Sequence, residues 1–470
     1  MGRRSSLDDQ NSKHASTFWI KGATVFTQNE KREVLEADLF IENGRIAEIA
    51  PVRRSPLKKT GKRRLERKTP VIDASGLVLI PGFVQAHVHL CQTLFRNQAD
   101  DLELLDWLSK KIWVFEAAHT EETLYTSALL GIYELLSSGT TCILDMGTVR
   151  HTDALCEAVR QSGIRASIGK CLMDHPTRNP KNLQEPTKTA LAQAQDLLKR
   201  WHQSQSDRIR ISYAPRFALS CTSELLTQVG LLAQEHQTLI HTHASENQKE
   251  IQLVRRLFGC ENLEYLHRLG LTSKRLVLAH GIWLSENEKQ ILKKTQTHVV
   301  HCPSSNLKLA SGIAPIPELL KRGINVALGA DGAACSNSLN AFEEMRLAAL
   351  IHKPQAGPTA MKAMEVLDLA TRNGAQALDW WDQIGSIEVG KQADLVALDL
   401  RGPLNTVYER DRLRPEALAS SIVYSTHPEN VRWTQVAGQT VYENGRVRAI
   451  PLEPLMKRVR RAQEKILGNR

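Results

Sequence analysis

The chain has 470 residues, of which 42% are hydrophobic and 24% charged. That is ordinary globular composition and excludes wholesale disorder; no window approaches ~18 uninterrupted apolar residues, which excludes a helical membrane span. The net charge of +10 is local, since residues 53–68 carry +8 and residues 457–470 carry +5, leaving the remainder close to neutral.

The basic run 53–68 contains no aromatic residue. Stacking on bases needs such residues, so the run reads as a solvated loop insertion and nucleic acid is not an expected partner. The first residues, Met1 to Ser6, lack the apolar stretch of a secretory signal. The eight cysteines stand singly, with no C-x-x-C pair. They read as reduced thiols, and the cytoplasm is the expected location.

In chain order, residues 17–49 show short β pattern. Asn43-Gly44 marks a hairpin, because both turn positions need positive φ. The device returns at Asn444-Gly445, where Tyr442 to Val447 echoes Ile41 to Ile46. Two matching hairpins at opposite ends predict one composite β domain. Between them, eight apolar runs alternate with helical patterns. The runs lie at 77–80, 140–144, 164–171, 209–213, 238–242, 276–279, 299–300 and 324–328. A helix predicted from Thr120 to Ser137 is typical of the rest. Thr120 caps it, Glu121 and Glu122 suit its positive end, and Gly139 closes it.

Alternation of this kind predicts an α/β fold, a (β/α)8 TIM-type barrel over 77–384. A small composite β-sandwich domain is expected from 17–76 and 385–450, and a basic tail from 451–470. A barrel of this type places its active site at the C-terminal strand ends. His87-Val88-His89 follows the first run, His243 and Glu246 the fifth, His280 the sixth and Asp331 the eighth. His87 and His89 share one side of an extended strand. Imidazole and carboxylate donors converging on one rim suit zinc, with iron as the alternative. His241 shares the side of His243 but sits deeper, so it is expected to support the site or pack. His301, at the end of the seventh run, is a weaker pocket candidate.

Pro81-Gly82-Phe83-Val84-Gln85-Ala86-His87-Val88-His89 resembles the first-strand signature of the amidohydrolase superfamily. His243-Ala244-Ser245-Glu246, Leu278-Ala279-His280-Gly281 and Leu328-Gly329-Ala330-Asp331-Gly332 match its later motifs in order. Gly385 to Leu395 is similar to its return into the C-terminal β domain. Within the superfamily the chain looks most like the branch of 5'-methylthioadenosine/S-adenosylhomocysteine and 5'-deoxyadenosine deaminases, guanine deaminases and triazine hydrolases.

The resemblance implies one metal ion held by His87, His89, His243 and Asp331. The fourth strand ends Tyr213-Ala214-Pro215-Arg216, without the lysine of two-metal branches. The resemblance also implies catalytic roles. Asp331 takes the proton of the attacking water, Glu246 protonates a ring nitrogen, and His280 holds the attacking oxygen. The segment carrying Trp113 and Glu116 looks like the loop of nucleoside-type deaminases, where a glutamate 27 residues past the second histidine binds ribose hydroxyls; Glu116 holds that place. Gln92 and Arg216 are more similar to guanine-type deaminases. The substrate implied is a small molecule, a 5'-modified adenosine. A guanine-type base and a triazine remain the alternatives. Relatives commonly form homo-oligomers, which is the expectation here.

Overall fold

The computed structural model describes residues 17–52, 69–405 and 414–468. The basic insertion 53–68 lies outside the described residues.

The N-terminal part supplies β1 (Phe18–Phe26), β2 (Val34–Glu42), β3 (Arg45–Pro51), β4 (Val71–Asp73) and β5 (Val78–Pro81). The barrel follows with β6 (Phe83–His89), β7 (Thr140–Thr148), β8 (Arg165–Leu172), β9 (Ile209–Pro215), β10 (Ile240–Ala244), β11 (Leu276–His280), β12 (His298–His301), β13 (Val326–Leu328) and β14 (Asp331–Gly332). The chain then returns through β15 (Leu395–Leu398), β16 (Val431–Val436), β17 (Gln439–Glu443) and β18 (Arg446–Val447).

From β6 to β13, neighbouring strands pair in parallel and in chain order, with helices between. Two residues after β13, β14 pairs with β6 and joins the two ends of the sheet. The helix between β6 and β7 runs Glu121–Ser137. Thr120 caps it by accepting from the Thr123 amide, and Gly139 follows at φ +85°.

The β domain is one hydrogen-bonded path, β18-β17-β16-β15-β5-β1-β2-β3, with β4 added beside β1. Both ends of the chain build it. The two Asn-Gly turns have positive φ at both residues, 53° and 76° at Asn43-Gly44 and 47° and 82° at Asn444-Gly445. Phe18, Ile20, Leu39 and Ile41 share a separate buried cluster with Leu395 and Trp433. Arg165 at the start of β8 forms a buried ion pair with Asp394 just before β15, Nε to Oδ2 at 2.9 Å, which ties the two units together.

One strand lies elsewhere than the apolar pattern indicates. The run 77–80 belongs to the β domain, where β5 pairs with β1 and β15. The first barrel strand is β6, one glycine later. A Cβ at Gly82 would overlap the Thr141 side chain, so the passage from one sheet to the other needs glycine. β6 was not visible as an apolar run because its buried residues include Gln85, His87 and His89.

The basic C-terminal segment forms the helix Leu452–Leu467. Leu455, Val459, Ala462 and Ile466 line its buried stripe. Lys465 pairs with Glu122, so the stripe lies against the Glu121–Ser137 helix. Lys457, Arg458, Arg460 and Arg461 stay exposed, as expected for the polar face of a docked amphipathic helix. Among the described residues no helix is long and apolar enough to cross a membrane.

Candidate active site and metal centre

The period of two along β6 turns His87 and His89 to the same side. His243 arrives from β10, and Asp331 opens β14 beside Val88. One ligand atom from each of these four residues lies within 4.8 Å of the others. His87 Nε2 is 3.2 Å and His89 Nε2 3.3 Å from Asp331 Oδ1. His89 Nε2 and His243 Nε2 are 3.2 Å apart.

The far side of most of these groups is anchored. His243 Nδ1 lies 2.7 Å from the Arg216 carbonyl oxygen, which accepts its proton and leaves Nε2 bare. His87 Nδ1 faces His241 Nε2 at 2.8 Å. Asp331 accepts from Ser305 Oγ at 2.6 Å and from the Gly332 amide at 2.8 Å. The buried His87 Nε2 has no hydrogen-bond partner. A converging set of three imidazole nitrogens and one carboxylate fits a zinc-type ion, and leaves room for a further ligand.

Burial holds His87, His89 and His243 below the usual histidine range, the state a ligating imidazole needs. Burial alone would raise the Asp331 carboxyl. The close approach of His87, His89 and His280 to its oxygens outweighs it and holds Asp331 well below the usual range. Glu246 behaves oppositely. Burial, then the charges of Asp331 and Glu250, push it well above the ordinary carboxyl range. Two carboxyl groups with opposed tendencies thus share one site, the arrangement that separates an acid from a base.

His280 connects them. Its Nε2 is 3.5 Å from Glu246 Oε2 and 3.8 Å from Asp331 Oδ2. Its Nδ1 donates to Asn306 Oδ1 at 2.8 Å. The backbone here is strained: Ser245, His280 and Asp331 have φ of 54°, 75° and 60°. Such conformations in non-glycine residues persist where the surroundings enforce them, and they gather at functional sites.

The cavity over this cluster encloses about 20 Å³. That holds roughly one water, whereas small-molecule pockets run to roughly 300–1,000 Å³. Leu104, Trp107 and Leu108 line it with Phe217, His89, His243, Glu246, His280 and Asp331. They belong to a broken helical stretch, Leu104–Trp107, a π turn Leu108–Ile112 and Trp113–Ala117. This stretch forms a cover that narrows the cleft above the cluster.

Gln92 and Arg216 also line the cavity. Glu116 and Trp113 stand behind that wall. Arg216 grips Glu116 with both terminal nitrogens, at 2.7 and 3.2 Å, and Gln92 Nε2 donates to the same carboxylate at 3.0 Å. Gln92, Glu116 and Arg216, which the sequence set against one another, therefore form one buried network. Trp113 packs beside a cluster of Val149, Cys171, Met173 and Leu183. His301 pairs with His352 instead, Nε2 to Nε2 at 3.2 Å. Trp107, Ser305 and Asn306 carry no role in the sequence pattern, yet Trp107 lines the cavity and Ser305 and Asn306 hold Asp331 and His280.

An amidohydrolase family model matches residues 78–441. The chain is 36% identical over 451 residues to a 5-methylthioadenosine/S-adenosylhomocysteine deaminase of Syntrophobacter fumaroxidans, covering 96% of this chain and 98% of the relative. It is 37% identical over 453 residues to a 5'-deoxyadenosine deaminase of Methanobrevibacter smithii, with coverages of 96% and 98%. In structure it is similar to an adenosine deaminase of Xanthomonas campestris solved with bound zinc, at TM-score 0.85 and 30% identity, covering 96% of this chain and 99% of that one. With the family model spanning barrel and β domain alike, and relatives above 30% identity along nearly the whole length, the chain belongs to the amidohydrolase family.

Proposed function

We propose that the protein is a metal-dependent hydrolytic deaminase of a 5'-modified adenosine, with 5'-deoxyadenosine, 5'-methylthioadenosine or S-adenosylhomocysteine as substrate. The products are the inosine analogue and ammonia. The observation that carries this reading is the opposed pair Glu246 and Asp331 on either side of His280. The names of the full-length relatives agree with it.

The metal is zinc, with iron as the alternative, held by His87, His89, His243 and Asp331. Such an ion, when bound, lowers the pKa of water to about 7 and so supplies a nucleophile at neutral pH. Asp331, held ionised, takes the proton of the attacking water. Glu246, kept protonated by burial, gives its proton to the ring nitrogen beside the attacked carbon. The negative charge developing on the ring is thereby neutralised. His280 holds the attacking oxygen in line. The amine departs as ammonia with the proton that Asp331 collected, and as the carbonyl forms the remaining hydroxyl proton on the attacked carbon returns to Glu246. The cover formed by Leu104, Trp107 and Leu108 excludes bulk water during the reaction.

Gln92 and Arg216 face the substrate. Glu116 orients them, and reaches the ribose hydroxyls when the cover opens. Because both Glu116 oxygens are already engaged, a free guanine-type base is the second reading. A cytoplasmic homo-oligomer is the form proposed.

The test is ammonia release by metal-loaded protein from 5'-deoxyadenosine, 5'-methylthioadenosine, S-adenosylhomocysteine, adenosine, guanine and 8-oxoguanine. Turnover of the nucleosides is expected, with Glu246→Gln inactive but still metal-bound. Turnover of the bases alone would transfer the pocket to the guanine reading. Full activity in Glu246→Gln would remove Glu246 from the mechanism.

A further inference from the structure

We propose that His241 is a positioning residue that fixes the ring tautomer of His87 and thereby sets the affinity of the site for its metal. The inference rests on the metal centre proposed above. His87 lies on β6 and His241 on β10, 154 residues apart. Both are fully buried. Their rings meet edge to face, with centroids 4.9 Å apart and planes at 85°. His87 Nδ1 and His241 Nε2 are 2.8 Å apart.

Two neutral imidazole nitrogens at that distance share one proton, so one donates and the other accepts. If His241 Nε2 donates, His87 accepts at Nδ1 and carries its own proton on Nε2. That proton points toward Asp331 Oδ1 at 3.2 Å, and the nitrogen has no lone pair left for a metal. If His87 Nδ1 donates, His87 Nε2 is bare and faces the other three ligand atoms. Metal binding selects the second arrangement.

The other ligand histidines are held differently. His243 Nδ1 donates to a backbone carbonyl, which no substitution of a partner side chain removes. His89 Nδ1 has no hydrogen-bond partner. Among the described residues, His87 is thus the ligand histidine whose nitrogen facing away from the other ligands is held by a side chain. The arrangement has a cost. His241 must then carry its proton on Nδ1, and that atom is buried without a partner. A residue present only to fill space would be better served by a phenyl ring. An unpartnered buried donor is tolerated where its other nitrogen performs a task.

The partner of a ligating histidine is most often a carboxylate, a carbonyl or water, and its loss costs about 10–100-fold in metal affinity. The experiment compares His241→Gln with His241→Met in the full-length protein. The two side chains have nearly the same length and volume, but glutamine keeps a strong acceptor near the position of Nε2. Zinc affinity is read by competition with a chromophoric chelator, and thermal unfolding in excess chelator checks that each metal-free variant folds. Zinc binding by His241→Met is expected to weaken about 10–100-fold, with His241→Gln within about threefold of the parent. Equal losses in both variants, or no loss in either, would overturn the role of His241. A parent protein that binds no divalent metal would overturn the metal centre itself, which is a different failure.

Discussion

Glu116 and Arg216, 100 residues apart, form a buried two-pronged ion pair, Oε2 to Nη1 at 2.7 Å and Oε1 to Nη2 at 3.2 Å. Their side chains are 7% and 4% exposed. Burial would depress the Arg216 guanidinium, but Glu116 beside it holds its pKa above the ordinary value. Removing one partner of such a pair strands the other charge in a low-dielectric setting, at about 3–5 kcal/mol. Arg216→Met is therefore expected to lower the thermal midpoint markedly. Adding Glu116→Gln to the same chain should recover most of that loss, since no unpaired charge remains. A midpoint in the double variant no higher than in Arg216→Met would refute the pairing.

Close approach at the metal rim gives a second prediction. A Cβ on Gly329 would come within 2.7 Å of the His87 carbonyl oxygen and 3.0 Å of its amide nitrogen. These are backbone atoms of β6 and cannot step aside as a flexible side chain would. Gly329→Ala must push β6 outward at the residue that carries a ligand. The expected outcome is weaker zinc retention on dialysis, and loss of activity out of proportion to a one-methyl change. Unchanged metal content and turnover would show that β6 yields at no cost.

Much of this was legible in the sequence, because local rules govern it. The Asn-Gly turns needed only their own two residues, and Thr120 capped its helix through an amide three positions away. His87 and His89 declared a shared face through the strand period. Three features escaped for a common reason, that their meaning depends on distant parts of the chain. The run 77–80 is as apolar as a barrel strand, and only its pairing with β15, more than 300 residues later, assigns it to the β domain. β6 is buried yet polar, because its polar side chains face the site. The Gln92–Glu116–Arg216 network joins residues up to 100 positions apart, so the motifs appeared to argue for rival substrates when they describe one wall.

The third prediction concerns pH and the helix Ala341–Ile351. Glu344 on that helix is buried, and one oxygen accepts from the Ser304 amide at 3.2 Å. Burial pushes its carboxyl up to about 8, more than the Ser304 hydrogen bonds lower it. A raised carboxyl favours the folded state while it stays protonated. The contribution is fully present below the unfolded-state value near 4.5 and is lost as pH rises through about 8. At about 1.4 kcal/mol per unit, the amount at stake is on the order of 5 kcal/mol. Glu344→Gln keeps an acceptor for Ser304 and cannot ionise. The fall in thermal midpoint from pH 6 to pH 9 should therefore be smaller in Glu344→Gln than in the parent. Other buried carboxyls, among them Asp145 at about 7, keep that fall from vanishing. Parallel pH profiles for variant and parent would mean that Glu344 is ionised in the folded protein and that its burial is compensated by solvent.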